Sequence, residues 1–447
     1  MIEIALIFQM VLWMFLCKRF LRSKEASLFH PLAWYLIVHG IVFVARPLMV
    51  YFLHFNQMWQ YMRFIPTEKE FIQTLSVSSF ALIIFFFVVL YTGRCKPKFQ
   101  NNKKINNLSR QRLAFWITLV ILGPIALYSA VISIAGPDFL GMGSVQMAIV
   151  DAIAIYQNTT GYIVHAKDMF GTLIVLLIVL YRYRWWTFTM LLAYVCYRSF
   201  LGWDRWTIVF AIITILLVWL WEKKRKFPSL KILIMIPILL LLFVTLGDNR
   251  YILRNYLAGK NIKQSIIDNR SWEEKLDTAD FANFDYLAYV VSTVPGLTKT
   301  YSYGVQYLQL FTEPIPRILW KNKPVGPPIQ YFNLNDYGNF ANRTVSLPGD
   351  GWMSGGWIGV FLTMAIVGII LGRFHRWFWK GQSDIYRVLF YVVALPAVIL
   401  HYRDGGIYIF KFLLFTTFPL FVWLAVIKIL KIVVGRASEF ETNAHVI

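Results

Sequence analysis

Long apolar runs, separated by shorter polar segments, account for most of the chain. A helix needs about 20 mostly apolar residues to cross a membrane, with about 17 to 25 as the working range. The pattern therefore predicts an all-α polytopic integral membrane protein with about eleven transmembrane helices, in a range of ten to twelve. The predicted spans are approximately 2–17, 31–55, 71–93, 113–135, 162–181, 186–201, 206–221, 232–247, 356–372, 386–401 and 408–430.

Two of the connecting loops are longer than a connection requires. One covers about 136–161, and the other covers 248–355. A long loop in a compact protein is usually functional or forms a small domain. The pattern thus divides the chain into spans one to eight in 1–247, a large loop in 248–355, spans nine to eleven in 356–430, and a tail in 431–447. Around Phe281, Phe284 and Tyr286 the large loop has a mixed pattern that predicts short helices.

The composition agrees with this class of protein and excludes others. The chain is 58% hydrophobic, 17% aromatic and only 15% charged, whereas about a quarter of a soluble domain is charged. A net charge of +21 in a soluble protein would indicate a nucleic-acid partner. In so apolar a chain the positive charge does not indicate such a partner, so we expect that the protein binds no nucleic acid. The three cysteines are scattered and form neither a disulfide framework nor a metal motif.

The Lys and Arg residues predict the orientation. Short loops on the cytoplasmic side of a membrane protein carry an excess of these cations. One alternating set of short loops, together with the tail, holds 24 Lys and Arg, and the other set holds five. With eleven spans, this places the N-terminus and both long loops outside and the C-terminus in the cytoplasm.

Three cations lie in the outer halves of predicted spans, namely Arg46, Arg198 and Lys411. A charge at bilayer depth costs at least about 2.5 kcal/mol. Such side chains either extend to the outer headgroups or form an anion-binding site. Arginine suits phosphate because its planar group donates two parallel hydrogen bonds. Four more arginines at or near outer span ends could converge on the same place: Arg205, Arg250, Arg254 and Arg403.

Candidate proton-transfer groups also lie at outer span ends. His401 opens the run His-Tyr-Arg-Asp-Gly-Gly, and histidine is the usual group for proton transfer near neutral pH. Asp350 and Asp404 each neighbour a basic residue or a glycine, so each is either an interfacial cap or ion pair, or a general base. No HExxH, P-loop, GxGxxG or GxSxG motif occurs, so we expect no metal and no cofactor.

Glycines and tryptophans alternate at the start of the ninth span. Trp352 and Trp357 stand among Gly351, Gly355, Gly356 and Gly359, and Gly368 and Gly372 follow in small-xxx-small spacing. One interpretation is close helix packing beside an aromatic interface belt. The other is a backbone that a bulky ligand approaches closely, with the indole faces stacking on sugars.

Three stretches together resemble a known family. They are Arg198–Arg205 (RSFLGWDR), Glu313–Trp320 (EPIPRILW) and Asp350–Gly359 (DGWMSGGWIG). With the span order and the large late loop, they resemble the bacterial O-antigen and oligosaccharide repeat-unit polymerases of the Wzy type. Members commonly carry an acidic residue inside the glycine-rich stretch. Here Asp350 precedes the stretch, which itself contains Met353 and Ser354.

The resemblance implies a GT-C-like glycosyltransferase of the bacterial inner membrane with its active site facing the periplasm. It would transfer a glycan from undecaprenyl diphosphate to the non-reducing end of another lipid-linked repeat unit, without a metal. Its partners would be the undecaprenyl-diphosphate-linked oligosaccharide and membrane lipids, with a chain-length regulator as a further candidate. His401, Asp350 or Asp404 would accept the hydroxyl proton and Arg403 would position a diphosphate. Four arginines would neutralise the leaving diphosphate: Arg198, Arg205, Arg250 and Arg254.

Three alternatives remain open. An O-antigen ligase has a similar topology and one large late outer loop. A flippase for the same lipid usually has more spans and a polar path across the whole membrane, whereas the embedded cations here lie in the outer half. A receptor or scaffold without chemistry is the third, and the outer-face cations argue against it.

Overall fold

The computed structural model describes residues 1–97, 99, 108–135, 147–150, 153–156, 165–201, 206–229, 277, 281–312, 315, 319–320, 331–340, 343–406 and 408–444. Most of these residues are helical. In chain order the helices are α1 Ile2–Leu21, α2 Pro31–His39, α3 Arg46–Phe52, α4 Gln57–Met62, α5 Glu68–Thr92, α6 Leu108–Ala135, α7 Met169–Leu180, α8 Trp185–Leu201, α9 Trp206–Glu222, α10 Asn283–Thr293, α11 Gln309–Thr312, α12 Ser346–Lys380, α13 Ile385–Ala394, α14 Ala397–Asp404 and α15 Tyr408–Ala444.

Seven helical segments in the described part are long and apolar enough to cross a membrane. They correspond to the predicted first to fourth and ninth to eleventh spans. The predicted fifth, sixth and seventh spans coincide with the shorter helices α7, α8 and α9, of 12, 17 and 17 residues. The predicted eighth span, 232–247, lies outside the described residues. Eleven spans therefore remains a prediction.

One short pair of strands accompanies the helices of the predicted all-α class. Strand β1 (Met147–Val150) runs antiparallel to β2 (Ile153–Tyr156), with Met147 opposite Tyr156 and Val150 opposite Ile153. Both strands lie within the predicted loop 136–161. Hydropathy alone missed them because four-residue strands are too short to give a clear alternation.

A π-helical segment, Gly40–Ala45, joins α2 to α3, so that the second span continues from Pro31 to Phe52. The segment lies next to Pro47, which has no N–H to donate to the carbonyl one turn earlier. The Phe43 carbonyl instead accepts a hydrogen bond of 2.7 Å from the Gln9 side chain. The same amide nitrogen lies 2.8 Å from the Ser78 hydroxyl, so this polar cluster ties α1 to α5.

Among the helices that the structure describes, α5 and α12 share the largest contact, and they run parallel. Phe80, in the middle of α5, contacts Trp357, and Thr92, the last residue of α5, contacts Gly372 further along α12. A Cβ on Gly372 would lie 2.0 Å from the Thr92 hydroxyl oxygen. A Cβ on Gly368 would lie 3.0 Å from Val88. The close packing predicted from the small-xxx-small spacing is thereby confirmed for these two glycines.

Helix α12 is broken near its beginning. Gly355 has φ 175° and ψ 38°, and Gly356 has φ 58° and ψ −135°, so a short helix precedes the membrane-spanning part. Gly356 needs its glycine because an L side chain rarely adopts this positive φ. The two parts press together where a Cβ on Gly359 would lie 2.0 Å from the carbonyl oxygen of Gly351.

Several helix ends meet on the side of the bundle where α12 begins, which we call the Asp350 end. The N-terminal amine of α1 lies 3.3 Å from Glu68, the first residue of α5. Tyr51, near the end of α3, donates a hydrogen bond to Glu3. The starts of α1, α5 and α12 and the end of α3 therefore share one side. These relative helix directions agree with the sequence-based prediction that consecutive spans cross the membrane in alternating directions.

Candidate active site

Asp350 is the centre of the candidate site. It lies in the first, short part of α12 and is 2% exposed. Its carboxylate accepts a hydrogen bond from the backbone N–H of Gly406, 56 residues further along the chain. A Cβ on Gly405 would lie 2.5 Å from the same carboxylate oxygen, and Gly405 has a φ of +93°. Only glycine fits here, and this brings Asp350 against the segment that His401 opens.

His401 and Asp404 belong to the last turn of α14, just before these glycines. The Nδ1 atom of His401 lies 3.4 Å from the carbonyl oxygen of Gly405. A carbonyl only accepts hydrogen bonds, so this contact favours the tautomer protonated at Nδ1 and leaves Nε2 with a free lone pair. The sequence alone did not indicate that Asp350, His401 and Asp404 would lie on adjoining segments.

Arg403 is held against its neighbours on this segment. Its Nε lies 2.9 Å from the Asp404 carboxylate, and its guanidinium lies 4.6 Å from the ring centre of Trp206 at the start of α9. Asn283, fully buried at the start of α10, donates to the Arg403 carbonyl at 2.7 Å and to the Thr344 hydroxyl at 3.1 Å. Asn283 thus joins α14, α10 and the approach to α12.

Tyr307 is a residue that sequence reasoning missed. A Cβ on Gly406 would lie 2.7 Å from the Tyr307 ring, so the phenol packs beside the loop that Asp350 binds. Burial raises the pKa of the Tyr307 phenol above its ordinary value, and the nearby Asp350 carboxylate raises it further. Tyr307 is therefore a proton-bearing hydroxyl next to a buried carboxylate.

The two tryptophans of the glycine-rich stretch differ in exposure. Trp352 is 3% exposed, and its indole N–H donates to the carbonyl of Val294 at 2.7 Å, which indicates a packing role. Trp357 is 43% exposed and meets the Trp352 ring edge-to-face at 5.5 Å. Of the pair, Trp357 presents the ring surface that a sugar could contact.

Arg46 is ion-paired rather than open to solvent. It is 1% exposed, and its guanidinium lies 2.8 Å from the Asp285 carboxylate and 2.7 Å from that of Asp277. Asp277 also accepts a hydrogen bond from the backbone N–H of Gln57. Two carboxylates on one guanidinium favour a structural role for Arg46, which fastens α10 and Asp277 to α3.

Arg198 is buried as well. Its Nη2 lies 2.8 Å from the Asp168 carboxylate, and its Nε donates to the Thr207 hydroxyl at 2.8 Å. Thr207 directly follows Trp206, on which Arg403 lies. Arg198 and its partners therefore adjoin, across the start of α9, the group of Asp350, His401, Arg403 and Asp404, which we call the Asp350 cluster. The other predicted cations, Arg205, Arg250 and Arg254, lie outside the described residues.

Arg343 is a cation that sequence reasoning did not single out. It stands just before α12, next to Thr344, and its guanidinium lies 4.2 Å from the ring centre of Tyr61 and 5.9 Å from that of Tyr286. It makes no ion pair with any residue that the structure describes. Two tyrosine faces thus hold a half-buried arginine beside the Asp350 cluster without neutralising it.

The described segments thus place a buried carboxylate, an imidazole, a second carboxylate and two arginines at one end of a bundle of apolar helices. The family model of the O-antigen polysaccharide polymerase Wzy matches residues 2–434, nearly the whole chain. The chain belongs to this Wzy family. No curated protein and no solved structure matches it.

Membership of the Wzy family confirms the resemblance drawn from the sequence motifs. It makes the chain a multi-pass membrane protein of O-antigen biosynthesis and a glycosyltransferase-type polymerase that acts on lipid-linked repeat units. In the part of the chain that the structure describes, no group of three or more His, Cys, Asp or Glu side chains lies close enough together to hold a metal ion.

Proposed function

We propose that this Wzy family member transfers a growing glycan from undecaprenyl diphosphate to the non-reducing end of another lipid-linked repeat unit at the periplasmic face of the inner membrane. The observation that carries the proposal is the contact between Asp350 and the loop after His401. This contact lies at the end of the bundle that the charge distribution predicts to be periplasmic. There, repeat units attached to lipids in the outer leaflet would meet it.

In the proposed reaction the acceptor hydroxyl attacks the anomeric carbon of the donor glycan. The bond from that carbon to the diphosphate oxygen breaks, and its electron pair leaves with undecaprenyl diphosphate. The hydroxyl proton passes to Nε2 of His401, whose Nδ1 faces the Gly405 carbonyl. Asp350 and Asp404 hold the segment from His401 to Gly406 in place, and they are the alternative proton acceptors. The donor is already activated by its diphosphate, so the reaction needs no nucleotide.

The leaving diphosphate gains negative charge in the transition state, and fixed cations stabilise that charge. Arg46 and Arg198 are each committed to carboxylates. Arg343, which has no ion-pair partner among the described residues, is therefore the described cation best placed for the diphosphate, and Arg403, paired with Asp404 at 2.9 Å, is a proposed contributor beside it. Arg205, Arg250 and Arg254 remain proposed contributors. The exposed face of Trp357 is proposed to stack on a sugar. A chain-length regulator in the same membrane is a proposed partner.

The test uses a strain that lacks the gene and is complemented with variants, and its readout is the length distribution of the surface glycan. His401→Asn should leave single repeat units on the lipid core, because the amide that replaces the imidazole does not accept the hydroxyl proton. The matched control is His54→Asn, since His54 is exposed and lies outside the site. A normal glycan ladder from a well-inserted His401→Asn protein would remove His401 from the mechanism.

The same strain separates the rival functions by their products. Loss of a polymerase leaves single repeat units on the core, whereas loss of a ligase leaves the core bare. Loss of a flippase would instead retain the lipid-linked units on the cytoplasmic side. The family match over residues 2–434 favours the first outcome.

A further inference from the structure

Residues 301–307, which we call the tyrosine segment, are fixed beside the start of α12. The Gln306 side chain donates to the Ser354 hydroxyl at 2.9 Å, and Ser354 donates to the carbonyl of Asp350 at 2.7 Å. At the end of the segment, the Tyr307 ring packs against the loop whose N–H binds the Asp350 carboxylate. These contacts place the tyrosine segment beside the candidate active site.

Three tyrosines form a continuous aromatic surface at this segment. Tyr303 is 67% exposed, and its ring centre lies 6.3 Å from that of Tyr301 and 6.2 Å from that of Tyr331, which is 56% exposed. The Tyr301 hydroxyl lies against Gly356 at the break in α12, where a Cβ would come within 2.9 Å of it. We call Tyr301, Tyr303 and Tyr331 the tyrosine surface.

The geometry of these rings suits the flat face of a sugar. Tyr303 is inclined at 73° to Tyr301 and at 88° to Tyr331, so both ring contacts are edge-to-face. The exposures of Tyr303 and Tyr331 show that much of each ring remains uncovered. An aromatic face carries negative potential, whereas the C–H groups on one face of a sugar ring carry a slight positive charge, so the two attract each other.

Polar groups on the same segment favour a ligand that forms hydrogen bonds. Ser302 and Gln306 are 8% and 7% exposed, yet the Ser302 hydroxyl and the Gln306 amide oxygen have no hydrogen-bond partner among the described residues. Buried polar groups are normally paired. Sugar hydroxyls both donate and accept hydrogen bonds, and they would reach these two enclosed atoms on a rearrangement of the segment. A hydrocarbon chain would leave both atoms unpaired.

A membrane-interface belt is the alternative explanation for exposed tyrosines, because Tyr and Trp are enriched where a bilayer meets water. A belt residue acts through its own ring and needs no connection to a reactive group. The tyrosine surface, in contrast, belongs to a segment that hydrogen bonds connect through Ser354 to Asp350. This connection favours a role in holding the substrate.

We propose that the tyrosine surface binds sugar units of the lipid-linked glycan next to the unit that reacts. The ligand class is an oligosaccharide, which stacks on Tyr303 and Tyr331 and is bound separately from the diphosphate. The proposal rests on the function proposed above, because that function brings a glycan to Asp350 and His401. It assigns the sugars beyond the reacting unit to a surface that the mechanism does not use.

The test is saturation-transfer NMR on the purified full-length protein in lipid nanodiscs. The probe is the surface glycan of the wild-type strain, cut into short fragments by mild acid and freed of lipid and diphosphate. Irradiation of the aromatic protons of the protein should transfer saturation to C–H protons of the fragments. Ring-deuterated tyrosine should remove most of this transfer, whereas ring-deuterated phenylalanine should preserve it. Transfer that survives tyrosine deuteration, or equal competition by dextran, would overturn the proposal.

Matched tyrosine variants give the second arm. A sugar stacked on one tyrosine covers roughly 55 Å² of apolar surface, so Tyr303→Ala should weaken fragment binding about tenfold. Tyr303→Phe keeps the ring and should bind nearly like the wild type. Tyr91→Ala is the control, since Tyr91 is 70% exposed and lies at the opposite end of the bundle, near the end of α5. Equal binding by Tyr303→Ala and Tyr91→Ala would overturn the assignment, and so would a Tyr303→Phe protein as weak as Tyr303→Ala.

The glycan ladder separates a failure of this proposal from a failure of the proposed function. Tyr303→Ala should shift the ladder toward shorter chains, because each transfer then starts from a more weakly bound glycan. Unchanged fragment binding by Tyr303→Ala would contradict the tyrosine surface and leave the polymerase function standing. An unchanged ladder in the deletion strain would contradict the polymerase function. The NMR measurement needs no turnover, so it would still decide on the tyrosine surface.

Discussion

Removing the Arg46 side chain should destabilise the protein strongly. In Arg46→Met, the carboxylates of Asp285 and Asp277, 0% and 3% exposed, lose the guanidinium that neutralises them. Leaving a buried charge without its partner costs about 3–5 kcal/mol. Asp285→Asn should cost less, because Arg46 would keep its contact with Asp277.

The measurement is equilibrium unfolding of the purified protein in mixed detergent micelles, followed by tryptophan fluorescence. Arg387→Met is the matched control, since Arg387 packs on Trp377 at 4.7 Å and has no buried acidic partner among the described residues. A cation–π contact near the surface is worth about 0.5–1 kcal/mol, so the control should shift stability by no more than that. An Arg46→Met protein as stable as the control would refute the reasoning.

A triple variant separates structure from substrate binding at this site. Arg46→Met with Asp285→Leu and Asp277→Asn removes the whole charge cluster, and the asparagine keeps an acceptor for the Gln57 N–H. Replacing a buried ion-pair cluster by neutral groups of similar size is often neutral or stabilising. If Arg46 is structural, this variant recovers both stability and glycan polymerisation. Recovered stability without polymerisation would show that Arg46 contacts the substrate.

The remaining predictions concern glycines with close neighbours. Gly359→Ala should destabilise by about 1–3 kcal/mol in the same unfolding assay, because its Cβ would overlap the Gly351 carbonyl and force the two parts of α12 apart. Gly123→Ala in α6 is the control, since its Cβ would meet only Leu119, at 3.8 Å, and alanine favours a helix by up to about 1 kcal/mol. Gly405→Ala should abolish polymerisation in the glycan-ladder assay, because the methyl group would displace the Asp350 carboxylate and a positive φ disfavours alanine.

Each of these predictions has an outcome that contradicts it. Equal stabilities of Gly359→Ala and Gly123→Ala would mean that the break in α12 is not tightly packed. A full glycan ladder from Gly405→Ala would mean that the contact between Asp350 and Gly406 is not needed for the reaction.

The hydropathy pattern was sufficient for the seven long helical segments, because the cost of exposing backbone and polar groups to lipid acts on each segment separately. Runs of apolar residues therefore predicted the seven long segments, and the small-xxx-small spacing predicted the contact of Gly368 and Gly372 with α5. The family resemblance also came from local motifs and was confirmed by the match over residues 2–434.

The partners of the buried charges were decided by the tertiary structure alone. The sequence shows that Arg46 and Arg198 are costly in a membrane, but the carboxylates that neutralise Arg46 lie more than 230 residues away along the chain. Likewise, nothing local links Asp350 to Gly406 or brings Trp206 under Arg403. Ion pairs and hydrogen bonds depend on distances of a few ångströms between distant segments, and only the packed helices fix those distances. For this reason the sequence could place its candidate residues at one end of the molecule, and only the fold showed which of the described cations are buried in ion pairs.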